Sequence, residues 1–427
     1  MRPYQVLIFI AITMVLLRAL YWAFGDVQLL HKPSELSLQD SEISIQDLDT
    51  IVATDTVVIM DTVPQKVIPV APKIAVDSIT DSRIFLQSFY ASLAESEHRV
   101  VRVLHYGDSQ IEEDRMTQQI REALQARYGG SGAGLLPLAQ TIPSLTVRQQ
   151  IRMNGRTVQA AQGPRRYMVY GLKRDQRADG LYGVMGQVAV LNDSLVKGSE
   201  DVTAICKPLI PSAQYSEWSV FADTSVHYSF AGDTVFLAGK GNVYGLSQQS
   251  EKGVIVDNIP MRGCLGLVFT KMDREQLETF YREQNVQLII MQFGGNAIPF
   301  NENPGTISGI VKGLREQVQY IRSCAPQASI LFIGPSDMLT QIDGEWTTYP
   351  MVPYMDKLLR KMALEENIAY FSLYRWMGGA GSMKHWQEIG LAGSDGVHFH
   401  RSGARKAGKA VAEWILEGME ESRDKCE

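Results

Sequence analysis

The chain has 427 residues, 45% hydrophobic and 21% charged, with a net charge of −6. Its length exceeds one ordinary compact domain and predicts two folded units with appendages. The acidic balance leaves no basic footprint for nucleic acid, which is excluded as a partner.

From the N-terminus, residues 4–24 are apolar except for Gln5, Thr13 and Arg18, with Tyr21 and Trp22 near the far end. That length and aromatic edge suit a membrane anchor over residues 1–25 with Arg2 on the cytoplasmic side. The other reading is a secretory signal whose apolar core ends at Leu17. Under both, the rest of the chain is exported, to the periplasm or another extracytoplasmic space. Residues 26–80 are rich in Ser, Asp, Thr, Val and Pro without helical period, which predicts a linker, extended around Pro64, Pro69 and Pro72.

A folded region is predicted from Asp81, with a helix over residues 84–93 and a strand over 100–104. The strand leads into Gly107-Asp108-Ser109, and a helical pattern over residues 111–128 follows at once, stopping at Gly129-Gly130. Such a turn presents a serine hydroxyl at the carboxyl edge of a parallel sheet, beside the next helix's N-terminus.

Residues 141–250 have another texture. Short alternating runs such as Thr146-Val147-Arg148, Trp218-Ser219-Val220-Phe221-Ala222 and Thr234-Val235-Phe236-Leu237-Ala238 are separated by Gly, Asp and Asn turns. They predict an all-β, sandwich-like domain inserted between residues 81–140 and 251–420. Beyond it strands are expected at 253–257, 286–293, 329–334 and 368–371, alternating with helices at 273–284, 307–322 and 352–366. Apolar strands alternating with helices mean a parallel sheet covered on both faces.

Ser109 is the candidate nucleophile, and a serine hydroxyl needs a base to take its proton. Asp395-Gly396-Val397-His398, ahead of a helical pattern, offers His398 as base and Asp395 as the carboxylate that fixes its tautomer; His400 is the competing base. Asn296, in Gly294-Gly295-Asn296 after a buried strand, is a candidate donor to an oxyanion. Each has a plainer reading: a helix cap for Ser109, a turn for Gly294-Gly295-Asn296. Asp108 reads as holding the turn and His105 as a packed histidine. Trp218, Tyr215 and Tyr244 could stack on sugar rings but read more readily as core, as do Trp346, Trp376 and Trp386. Cys206, Cys264, Cys324 and Cys426 lie far apart with no CxxC spacing and read as buried or incidental thiols, with a disulfide open to them in an oxidising compartment. No metal site is read from the sequence.

Taken together, Gly107-Asp108-Ser109, a glycine near residue 263, Gly294-Gly295-Asn296 and Asp395-Gly396-Val397-His398 occur in the order found in the SGNH, or GDSL-like, hydrolases, which the chain resembles over residues 81–130 and 251–418. The resemblance implies a flavodoxin-like three-layer α/β hydrolase carrying an inserted β domain. It also implies catalysis by Ser109, Asp395 and His398 without a cofactor. The oxyanion hole would be formed by the Ser109 and Gly263 N–H groups and the Asn296 amide, with Gly266 as the other alignment for the glycine. Ala297 departs from the family, which often has Asp there. The expected function is an exported serine esterase that removes O-acyl groups, chiefly acetyl, from an acylated polysaccharide, peptidoglycan foremost. Acyl transfer onto a glycan needs the same site, and a glycan-binding protein with an inactive hydrolase fold is the third reading, against which the complete set of residues stands.

Overall fold

The structure is a computed structural model that describes residues 81–138, 143–153, 156–158, 172–174, 189–191, 201–208, 217–222, 224–232, 234–239, 241–299 and 301–424. The expected anchor or signal and the linker lie outside the described residues. Among the described residues no helix is long and apolar enough to cross a membrane.

Five apolar runs form one parallel sheet: β1 (Val100–Gly107), β2 (Gly253–Pro260), β3 (Val286–Gln292), β4 (Ser329–Gly334) and β5 (Ala369–Ser372). Their spatial order is β2-β1-β3-β4-β5. The order reverses between β1 and β3, the place where sheets of this type leave a crevice at their carboxyl ends. β1 and β3 are buried almost throughout because both faces are covered. Side chains alternate across a strand, so Leu104, Tyr106, Ile289 and Met291 enter one core while Val101, Val103, Leu288 and Ile290 enter the other. That is why these strands read as continuous apolar runs.

The first core is closed by α3 (Arg274–Glu283), α4 (Pro304–Cys324) and α5 (Met351–Glu365), through residues such as Leu277, Leu314, Val318 and Leu359. The second is closed by α1 (Gln87–Ser92), α2 (Thr117–Tyr128) and α8 (Arg401–Asp424), through Phe89, Ile120, Leu124, Val411 and Ile415. Each such side chain, fully buried, contributes about 1.5–3 kcal/mol. The helix starts are chemically marked: Asp273 caps α3, and Asn303 with Pro304 opens α4. Two short helices, α6 (Leu373–Met377) and α7 (Ser382–Glu388), and a hairpin of Leu339–Ile342 with Glu345–Thr348 complete this part.

One expected element is displaced. The helix predicted over 111–128 begins only at Thr117; Ser109–Asp114 is a kinked 3-10 segment in which Glu113 and Asp114 have φ of 61° and 64°. The apolar spacing of Ile111 and Met116 imitates a helical period, but the intervening carboxylates are drawn out to arginines. The dipole of α2 therefore does not start at Ser109.

The inserted region consists of antiparallel sheets. In one, Val147–Met153 lies between Arg156–Val158 and Asp201–Pro208, followed by Thr234–Gly239 and Val226–Ala231. In the other, Gly241–Gln249 pairs with Gly134–Leu136, Ala189–Leu191 and Glu217–Ala222, and Leu172–Arg174 pairs with Ala189–Leu191. None of these strands joins the central sheet. The antiparallel pairing begins at Gly134, ahead of the residue 141 expected from the change of texture, because Gly134–Leu136 is too short to show alternation.

The two ends of the insert meet. Ser250 N–H donates to the Ser131 carbonyl at 3.1 Å and Ser131 N–H donates to Ser250 Oγ at 2.9 Å. Gly253, at φ 95°, runs so close to Gly130 that a Cβ on it would lie 2.1 Å from the Gly130 nitrogen. Beneath this stem, Arg102 of β1 forks onto both oxygens of Asp257 of β2 at 2.9 and 2.8 Å, with both side chains fully buried. Leu135 N–H donates to the same carboxylate at 2.6 Å, and the Arg102 guanidinium also reaches Gln249.

Candidate active site

β1 delivers the turn. Asp108 Oδ1 accepts the Gln110 N–H at 2.9 Å, which closes the chain sharply and turns Ser109 out of the sheet edge. Ser109 Oγ lies 2.9 Å from His398 Nε2, and His398 Nδ1 lies 2.7 Å from Asp395 Oδ2. A carboxylate only accepts, so Nδ1 carries the proton and Nε2 is left to accept from the serine hydroxyl. The other oxygen of Asp395 accepts the backbone N–H groups of Val397 and His398, each at 2.9 Å. Burial pushes the Asp395 carboxyl up, but the two backbone donors and the imidazole together hold it below the usual carboxylate range.

His398 and His400 stand in His-x-His spacing, yet their rings part. His400 Nδ1 faces the Gly390 carbonyl at 3.3 Å, while His398 faces Ser109. Residues two apart on an extended strand would share a face; the rings part because the chain bends over residues 396–398. His105 is fully buried between Gln292 and Thr117, and burial lowers its imidazole to about 4, so it is neutral.

The turn after β3 brings Asn296 to the same edge. Gly294 sits at φ 114°, a backbone shape that only glycine adopts readily, and Gly295–Ala297 then makes one 3-10 turn. Asn296 Nδ2 donates to Asp108 Oδ2 at 3.1 Å and to the Cys264 carbonyl at 3.2 Å. One of those hydrogens must leave its partner to serve an oxyanion. Asp108 thus holds the turn with one oxygen and the Asn296 amide with the other. It is almost fully buried, and that burial pushes its carboxyl up to about 6 against the Gln110 backbone donor. Ala297, where the resembled family often has Asp, is 1% exposed, so a carboxylate there would be buried in the apolar core.

A cavity of 340 Å³ opens here, lined among others by Asp108, Ser109, Gln110, Gln292, Asn296, Pro335, Met338, Val397 and His398. Gly263 is not in that lining. It is exposed at φ 70° in a turn closed by the Cys264 N–H on the Met261 carbonyl at 3.0 Å, which by itself accounts for a glycine. Gly266 is buried at φ 84°, with its N–H on Cys264 Sγ at 3.3 Å. The structure therefore brings together Ser109, His398, Asp395 and Asn296, and leaves both candidate glycines outside the cavity wall.

Among the described residues no group of three or more His, Cys, Asp or Glu could hold a metal ion. Cys324 is a buried free thiol, Cys264 is half-buried, and the side chains of Cys206 and Cys426 lie outside the description. Trp386 packs in the core, Trp346 is exposed on the hairpin, and Trp218 is half-buried; Tyr215 and the Tyr244 side chain lie outside the description. Sequence reasoning missed the Asp108–Asn296 bond, and no sequence signal joins two residues so far apart.

No protein-family model and no curated protein sequence matches the chain. Among solved structures, a peptidoglycan O-acetylesterase superposes with a TM-score of 0.61 at 20% identity, covering 80% of this chain and 97% of that one. Est24, a carbohydrate acetylesterase from Sinorhizobium meliloti, matches 38% of this chain and 79% of its own at 16% identity and a TM-score of 0.29. An acetyl xylan esterase, AlAXEase, matches 38% and 80% at 15% identity and a TM-score of 0.27. The sheet order, the motifs at its carboxyl edge and the match over almost the whole of the first of these structures place the chain in the SGNH, GDSL-like, hydrolase fold.

Proposed function

We propose that the chain is a serine esterase that removes O-acetyl groups from a cell-envelope polysaccharide, with peptidoglycan the leading substrate. The observation that carries the reading is the continuous Ser109–His398–Asp395 hydrogen-bond chain at the mouth of the cavity. Ser109 Oγ attacks the acetyl carbonyl carbon while His398 Nε2 takes its proton, and Asp395 stabilises the imidazolium. The tetrahedral oxyanion is met by the Ser109 N–H and the Asn296 amide. Collapse expels the sugar hydroxyl, which regains the proton from His398, and a water activated by the same imidazole then releases acetate and frees the serine.

The side chains of His398 and Asp395 are 42% and 52% exposed, which suits a site that takes a bulky polymer from solvent rather than engulfing a small molecule. The superposition on a peptidoglycan O-acetylesterase supports the same substrate class. Residues 1–25 would place the enzyme beyond the inner membrane, held there as an anchor, with residues 26–80 as spacer. The test is mass spectrometry of acyl groups released from purified envelope glycans by the wild type and by Ser109→Ala. Free acetate from the wild type alone supports the esterase. A newly acylated sugar would make the chain a transferase, and no release of either kind would overturn the reading.

A further inference from the structure

The segment that follows the nucleophile reaches the base from two sides. Gln110 Nε2 donates to the Val397 carbonyl at 2.7 Å. The Arg115 guanidinium turns back onto the Ser109 and Gln110 carbonyls, the latter at 2.9 Å, and across to the Phe399 carbonyl at 3.3 Å. Val397 and Phe399 are the two neighbours of His398. The same segment continues outward: Glu112 pairs with Arg262, and Glu113 accepts from Arg401, the first residue of α8, at 3.0 Å. To reach these partners the chain places two consecutive non-glycine residues, Glu113 and Asp114, in the left-handed region, which side chains rarely adopt.

The base loop keeps its own shape independently. Gly393 N–H donates to the His398 carbonyl at 2.8 Å, His400 N–H to Leu391 at 2.9 Å, and Leu339 N–H to Gly396 at 2.9 Å. Bonds from Gln110 and Arg115 therefore fix where a preformed loop sits against Ser109, rather than whether it forms.

Resting on the esterase reading above, we infer that Arg115 is a positioning residue: with Gln110 it brackets His398 and sets the Ser109–His398 distance needed for proton transfer. Arg115 does not line the cavity, so its influence on the site passes through the base loop. Displacing a catalytic pair by 1 Å costs on the order of 10²-fold in rate, so loosening the bracket should appear in turnover.

The test uses the full chain, an aryl acetate and a fluorophosphonate that labels activated serines, on wild type, Ser109→Ala, Arg115→Lys and Arg115→Met. For Arg115→Met, kcat and the labelling rate are expected to fall together, by about 10-fold or more, with KM within about twofold of wild type and cooperative melting retained. Arg115→Lys, whose ammonium keeps the charge but cannot fork to all three carbonyls, is expected to fall between Met and wild type. If the Met variant does not fold, the Lys variant decides by the same two rates. Folded variants that label and turn over at wild-type rates, or that lose only KM, overturn the positioning role. Wild type that neither labels nor hydrolyses, like Ser109→Ala, overturns the esterase reading and the positioning role with it.

Discussion

A serine hydroxyl attacks only while its base is neutral, correctly protonated and aligned, and on the proposed esterase reading Asp395 meets the second of these conditions. Asp395 fixes the His398 tautomer, so Asp395→Asn, which can present an N–H to Nδ1, is expected to lower kcat by about 10²-fold or more while leaving the fold intact. Steady-state kinetics with an aryl acetate, alongside a melting curve, separates the two. If Asn296 serves the oxyanion as proposed, it acts on charge that develops during reaction, and Asn296→Ala is expected to cost about 10²-fold in kcat with KM little changed. Near-normal turnover would remove that amide from the site. Asp108 gives a thermodynamic signature instead. Its carboxyl is raised from 3.8 to about 6 in the folded state. The folded protein therefore holds this proton where the unfolded chain has released it, and the contribution to stability falls as pH rises from about 4 to 6. The full span is about 3 kcal/mol. Asp108→Asn is expected to gain stability relative to wild type between pH 4 and pH 7.5, read from denaturant midpoints at the two pH values; a constant difference would mean that the carboxyl titrates normally.

At the level of elements, the joint between the central sheet and the insert is held by charge in a dry place. Arg102 and Asp257 are both fully buried, and Asp257 also accepts from Leu135 at the root of the insert. A buried pair adds little to stability as a pair, but removing one member strands the other. Arg102→Met is expected to destabilise by about 3–5 kcal/mol, whereas Arg102→Met combined with Asp257→Leu recovers part of that loss. Chemical denaturation of the two variants checks it, and equal losses would locate the cost in packing rather than in the unpaired carboxylate. The 3-10 segment shows the limit of periodicity. Glu112, Glu113 and Asp114 sit within an apparently helical run, and their conformation is decided by Arg262 and Arg401, which arrive from elsewhere in the chain, and by Arg121 of α2.

Across the whole molecule, the insert leaves and re-enters the hydrolase part at adjacent points, so it can be shortened without breaking the central sheet. Retaining Gly134–Leu136 with its partner residues Leu246–Gln248 preserves the cover over Arg102 and Asp257. Replacing residues 138–244 by a short Gly/Ser bridge is expected to spare hydrolysis of an aryl acetate and to reduce deacetylation of polymeric glycan, if the insert presents the polymer to Ser109. Parallel losses on both substrates would make the insert structural.

The sequence by itself determined the apolar strands, the helices that cover them, and the residue types at the carboxyl edge. Each of these rests on local spacing: period two against period 3.6, a cap, a turn glycine, a serine after a strand. That His398 rather than His400 faces Ser109 was decided only by tertiary structure, because two histidines two residues apart have the same local chemistry. That Asn296 is held by Asp108, and that Gly263 lies outside the cavity wall while Asn296 lines it, were likewise settled by how separate strand ends converge. Sequence spacing records the order of such residues along the chain, whereas proton transfer depends on distances of about 3 Å between groups that only folding brings together.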